Sequence, residues 1–297
     1  MTRLTVGDPA PLFELPDVDG ASVRLAPAEA AATVVVFTAN GCPYARAWHD
    51  RIQQVARDFA DRGVTVLQVV SNDAADHPED SVESMRQRVA AGEFAGPLLH
   101  DAEQSAAQAY GATATPEVFV IDRSGVVRYH GAPDGGYDDP ALEAAWVRHA
   151  LDDVLAGREV ARPSTSPAGC SIKWRVELLW WEGCPTHEEA AEKLEQILDE
   201  IGKGDVSVVR REVRTRAEAR QLGFPGSPTF SVGGRDLFPT DAAPALTCRV
   251  YARDGGALSP LPDPGDLTAR LRDVLARPWE LPGWVDFRAQ RPAATSS

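Results

Sequence analysis

Cys42 is the first residue of this chain whose placement suggests chemistry. It stands in TANGCPYARAWHDR, residues 38–51, between an apolar run and a run with helical spacing. Pro43 follows, at a position that suits the first turn of a helix. The unpaired N–H groups of that turn and the helix dipole favour a thiolate. A thiol so placed can ionise well below the free value of about 8.5. A dithiol motif would need a cysteine at position 45, where the chain has Ala45. The plan recurs in WEGCPTHEEA: Cys184 and Pro185 sit between a strand-like and a helical run, and His187 stands where a second thiol would be. One turn along from Cys184, His187 is a candidate to stabilise a thiolate or act as a general acid. Two single thiols at the same kind of step argue for nucleophilic sulfur over a small buried apolar filler.

A second signal repeats beside the first. Thr115-Pro116 and Ser227-Pro228 each stand directly before a hairpin strand. Both are expected to be cis and to expose backbone groups that pair with an extended substrate. With Pro43, Tyr44 and Pro185 they make up the candidate substrate-binding set. The other two cysteines are Cys170 and Cys248, and four cysteines allow three complete pairings that the sequence does not choose among. Chain direction brings Cys248 towards Cys184. The strand after Pro228 leaves the active end and its hairpin returns to it. Asp73, Asp76 and His77 in SNDAADHPEDS read as a loop and helix cap. No C-x-x-C pair exists for structural zinc, and no metal site or cofactor is expected.

The elements that must position these residues alternate. TVVVFTA (33–39) and VTVLQVVSN (64–72) read as buried strands, with a helix over 44–63 between them. A polar helix over 78–93 and a short helix over 103–111 precede the hairpin 117–131, and an amphipathic helix over 140–157 closes the unit. REVARPSTSPAG (158–169) is a linker by composition. The pattern then restarts: strand 173–181, helix 186–202, strand 206–213, short helix 216–223, hairpin 229–237, strand 246–253 and helix 263–276. The fold class is therefore α/β, with one topology present twice, each copy a central mixed sheet flanked by helices. The boundaries fall at 1–160, a linker 161–173 that carries Cys170, 174–277, and a tail 278–297.

GDPAPLFELPDVDG, CPYARAW, DHPEDS, AYGATATPEVFVID and GCSIKW resemble successive landmarks of the redoxin, or peroxiredoxin-related thioredoxin-like, group. WEGCPTHEEA, LGFPGSPTFSVGGRD and CRVY resemble small thioredoxin- or glutaredoxin-like modules. The resemblance implies two thioredoxin-like folds in tandem and a thiol–disulfide oxidoreductase. Cys42 would be its nucleophile, and Cys184, with Cys248, a possible second one. A lone nucleophilic thiol needs another to resolve its mixed disulfide. Cys170, just past the closing helix, is the candidate, and the subgroup also keeps a cysteine there. Protein or low-molecular-weight disulfides are then the substrates, and an external thiol the reductant. Peroxiredoxins place threonine three residues before the reactive cysteine, a position held here by Ala39, so thiol peroxidase is the alternative. A third reading is a non-redox protein that binds a soft metal or an organomercurial through Cys184, His187 and Cys248.

The chain has 297 residues and a formal net charge of -14. That balance disfavours nucleic-acid and anionic-membrane partners. No apolar run reaches the length of a membrane span, and the N-terminus lacks the pattern of a signal peptide. A cytoplasmic location is expected, where thiols serve catalysis more often than structural disulfides.

Overall fold

The computed structural model describes residues 4–253 and 256–276. The expected tail, 278–297, lies outside the described residues. By its internal contacts the described chain divides into two compact units, 4–173 and 174–276.

The first unit opens with a short antiparallel pair, β1 (Glu14–Pro16) and β2 (Ser22–Arg24). Then follow β3 (Ala32–Thr38), α1 (Pro43–Ala60), β4 (Val64–Val70), α2 (Val82–Ala90), β5 (Leu98–His100) and α3 (Ser105–Tyr110). The unit closes with β6 (Ala114–Thr115), β7 (Glu117–Asp122), β8 (Val127–Gly131), α4 (Ala145–Leu155) and β9 (Cys170–Ser171). The main sheet runs β5-β4-β3-β7-β8, with β3, β4 and β5 parallel and β7 and β8 antiparallel. This is the mixed α/β class read from the sequence.

β3 is buried at every position, as a strand must be when both faces of its sheet are covered. Its alternate residues serve two cores. Val34 and Val36 join Trp48, Ile52 and Val55 of α1. Phe37, on the other face, sits 5.4 Å from the ring of Tyr110. A buried ion pair ties α1 to the chain after β8. Arg51 donates to Asp134 at 2.7 Å, and Asp134 also accepts from the Trp48 indole at 2.7 Å and from the Gly136 and Ala144 N–H groups. Every part of that carboxylate is satisfied, the condition under which a buried charge is tolerated.

Two local readings differ in detail. The polar helix expected over 78–93 begins as a 3-10 turn at Pro78–Asp80, and Ser81 then caps α2 by accepting from Ser84 N–H at 3.3 Å. The segment read as a linker is bonded into the first unit. The His130 N–H donates to Pro163 O at 3.1 Å, the Thr165 N–H donates to His130 O at 3.0 Å, and β9 pairs antiparallel with β6. Lys173 donates from its N–H to Asn72 Oδ1 at 2.9 Å and accepts from Asp73 N–H at 2.8 Å. A Pro-, Ser- and Thr-rich composition signals the absence of a long regular element, and it carries no information on tertiary partners.

The second unit contains β10 (Val176–Trp180), α5 (His187–Glu200), β11 (Val208–Glu212), α6 (Arg216–Gln221), β12 (Thr229–Val232), β13 (Arg235–Asp236), β14 (Tyr251–Ala252), β15 (Leu258–Ser259) and α7 (Pro264–Val274). Its sheet runs β11-β10-β12-β13, with β10 parallel to β11 and antiparallel to β12. The strand expected over 246–253 shrinks to β14. Its start meets the Ser227–Pro228 step in a single parallel bridge, Ser227 to Cys248. Pro228 has no N–H to continue a ladder.

Candidate active site

Cys42 is the N-cap of α1, with Pro43 at the first position of the helix. Its sulfur accepts from Ala45 N–H at 3.4 Å and lies 2.9 Å from Thr115 O, to which the neutral thiol donates. Only 4% of the residue is exposed. The strand-to-helix step is fixed from below. Asp80, itself buried, accepts from the Asn40 N–H at 2.5 Å and from the Asn72 side-chain amide at 2.8 Å. Burial raises the Asp80 carboxyl above the usual carboxylate range.

Cys170 is the partner thiol. In the β6–β9 pairing it stands opposite Thr115, and it packs against the Ala39, Cys42 and Ala45 cluster together with Tyr44. Hydrogen bonding from the Cys170 thiol is the largest influence on Cys42 and lowers it to about 6 in spite of burial. The Thr115 hydroxyl, buried and otherwise unpartnered, adds a smaller pull, as do the N–H groups of Ala45 and Cys170. The same bond, then burial, pushes Cys170 above the usual thiol range. The two thiols are thus shifted in opposite directions, Cys42 down and Cys170 up. Environment makes the two thiols unequal.

The Thr115–Pro116 bond is cis. Two residues that sequence reasoning missed hold this loop. Glu117, fully buried, accepts from Thr113 N–H at 2.7 Å and Ala114 N–H at 2.9 Å, and its other oxygen meets His130 at 2.5 Å. A carboxylate inside the apolar run EVFVID was the available signal. Tyr44, expected at the substrate side, is half-buried with its ring 4.7 Å from Tyr137.

The family model described as AhpC/TSA family matches residues 6–130. A solved structure of a hypothetical protein from Sinorhizobium meliloti is 36% identical, covering 58% of this chain and 96% of that one, with a TM-score of 0.54. An uncharacterized conserved protein from Geobacillus kaustophilus is 35% identical, with coverage of 59% and 94% and a TM-score of 0.56. The AhpC/TSA match thus lies within the first unit. A thiol:disulfide interchange protein of the thioredoxin family from Chlorobium tepidum is 25% identical over 50% of this chain and 97% of its own, at a TM-score of 0.40. Comparison with curated proteins gives no match.

The second unit lies beyond residues 6–130. There Cys184 is buried two residues before Thr186, the N-cap of α5. Its sulfur lies 3.6 Å from the Thr186 hydroxyl. His187 does not reach the sulfur as a tuning group would. Its Nδ1 bonds the Cys184 carbonyl at 2.7 Å, and its ring stacks on Trp180 at 4.3 Å. Pro185 occupies the turn between thiol and helix.

The Ser227–Pro228 bond is cis. Ser227 and Cys248 face each other in the bridge: Ser227 N–H donates to Thr247 O, and Arg249 N–H to Ser227 O, both at 2.8 Å. Cys248 is exposed. The Tyr251 hydroxyl donates to Pro228 O at 2.6 Å. Burial raises the Tyr251 phenol above its ordinary range. All four cysteines are free. Among the described residues no three His, Cys, Asp or Glu side chains are grouped to hold a metal ion, so Cys184, His187 and Cys248 do not assemble one. Among the described residues no helix is long and apolar enough to cross a membrane.

Proposed function

We propose that the chain is a thiol–disulfide oxidoreductase in which Cys42 is the nucleophile and Cys170 resolves the mixed disulfide. The observation that supports it most is the placement of Cys170, packed against Cys42 and opposite Thr115 in the β6–β9 pairing, with the Cys42 thiol lowered beside it. Cys42 attacks a disulfide as the thiolate and releases the first thiol. Cys170 then gives up its proton, attacks the Cys42 sulfur and releases the second. An external thiol returns the pair to the reduced state, as in a reducing cytoplasm. The second unit is a smaller thioredoxin-like module in tandem, and Cys184 with Cys248 is its pair. The support for that is the bridge that sets Cys248 opposite Ser227, as β9 sets Cys170 opposite Thr115.

Thiol mapping by mass spectrometry after limited oxidation tests the reading. A Cys42–Cys170 linked peptide is expected as the first product, ahead of Cys184–Cys248. A Cys42 that stays unlinked, or that links elsewhere, overturns it. The AhpC/TSA match favours one second reading, a thiol peroxidase that forms a Cys42 sulfenate for Cys170 to condense with. Sulfenate trapping in the Cys170→Ala variant under hydrogen peroxide separates the two.

A further inference from the structure

An extended polypeptide substrate docks by adding a strand to an open backbone edge. The backbone edge beside Cys42 is β6, residues Ala114–Thr115. That edge is already filled by the chain itself. Thr115 pairs with Cys170, Ala114 pairs with Ser171, and the Ile172 N–H donates to Thr113 O at 3.2 Å.

The filling segment is held at both ends. Before Cys170, the Thr165 hydroxyl accepts from Ala132 N–H at 3.0 Å and also meets the Tyr129 hydroxyl at 3.0 Å. After it, Lys173 is bonded by Asn72, by Asp73 and by the Gln104 side-chain amide at 2.8 Å. Between these anchors the approach is so close that only glycine fits. A Cβ on Gly169 would lie 2.0 Å from Thr115 O. The resolving thiol therefore arrives on the very strand position that a polypeptide substrate would take, and the sulfur behind it is 4% exposed.

We infer that the first unit acts on low-molecular-weight disulfides and excludes disulfides carried in extended polypeptides. The inference rests on the assignment of Cys42 and Cys170 as the redox pair. In the reaction, Cys42 thiolate forms a bond to one sulfur of the small disulfide as its S–S bond breaks, and one thiolate leaves. That thiolate takes the Cys170 proton. Cys170 then bonds to Cys42 and the second thiolate leaves, taking back from water the proton that Cys42 had released, so two protein thiols are oxidised and one small disulfide is reduced to two thiols. The segment 169–171 need not move for the second step, because Cys170 already touches Cys42.

The test compares two substrates with the same leaving group on the reduced full chain. One is bis(2-hydroxyethyl) disulfide. The other is an extended decapeptide whose central cysteine carries 2-mercaptoethanol as a mixed disulfide. The small disulfide is expected to oxidise the Cys42–Cys170 pair faster by about tenfold or more, the weight of the main-chain bonds the peptide cannot make. Gly169→Ala, which must lift the segment off Thr115, is expected to narrow that ratio. A peptide that reacts as fast as the small disulfide with the parent chain overturns the inference, whatever the variant does. If neither substrate links Cys42 to Cys170, the redox assignment itself fails and the inference with it.

Discussion

The two thiol sites share a plan and differ in how the sulfur is served. In both, a cysteine follows a strand that leads into a helix, and a second cysteine faces the residue before a cis proline. Cys42 caps its helix and accepts a helix N–H, whereas Cys184 stops two residues short and has only the Thr186 hydroxyl beside it, at 3.6 Å. Cys170 is half-buried and packs against Cys42, while Cys248 is exposed. A cysteine–proline step therefore does not by itself fix where the helix begins relative to the sulfur. What sets Cys42 apart is the register of the helix start, which turns the sulfur into the cap, and a second thiol packed against it.

The largest expected effect breaks the comparison outright. Cys42→Ser should reduce turnover of a small disulfide to the uncatalysed level, and Cys184→Ser should leave most of it, as followed by release of coloured thiol. Equal losses in the two variants would show that the sites work as one.

Next come the two buried arginines that hold the sites' supporting segments. Arg51→Ala leaves Asp134 buried without its cation and should destabilise the fold by about 3–5 kcal/mol in urea titrations. Arg249 pairs with Asp236 at 2.8 Å, but that carboxylate is 21% exposed, so water compensates in part. Arg249→Ala should lower stability by about 2 kcal/mol and raise the mobility of Cys248, seen as faster labelling by a bulky maleimide.

A smaller effect concerns acidity. Alkylation of Cys42 should show a midpoint near pH 6. Cys170→Ala removes the largest lowering influence and should raise that midpoint by about one unit or more. An unchanged midpoint would place the activation in the helix start alone.

The smallest effect is on folding. The Cys42 value is lowered from 9.0 to about 6, so the unfolded chain holds a proton that the native state has lost between those values. The reduced protein should gain stability relative to Cys42→Ser as pH rises from about 6 towards 9. That gain should vanish as pH falls through about 6. Paired denaturant melts across that window measure it.

Much of this was legible in advance. Apolar runs located β3, β4, β7 and β10, because buried strands declare themselves by composition. The thiols and the Thr115 and Ser227 steps were found because each is a local pattern. What escaped were tertiary relations. Composition marked 158–169 as linker, yet the segment from Pro163 to Lys173 is bonded along its length to distant residues. Asp80 accepts from the Asn40 N–H forty positions away, which no local pattern shows, whereas Glu117 bonds the nearby Thr113 and Ala114 N–H groups and is signalled only by a carboxylate at the start of an apolar run. His187 sits at the right spacing for a thiolate partner, but its ring turns to Trp180 and the Cys184 carbonyl. Spacing along a helix fixes which residues are neighbours and leaves open which atoms meet.

The apposition of Cys42 and Cys170 also has a consequence for the folding equilibrium. The two are far apart along the chain of the first unit, so their disulfide would close a loop of about 130 residues and restrict the unfolded chain by about 5 kcal/mol. A Cys184–Cys248 bond would close about half that length and, by the logarithmic law, give only about 0.6 kcal/mol less. Oxidation and folding then belong to one thermodynamic cycle. Whatever the cross-link adds to the stability of the fold, the fold returns to the stability of the cross-link, and the thiol that reduces it must work against both.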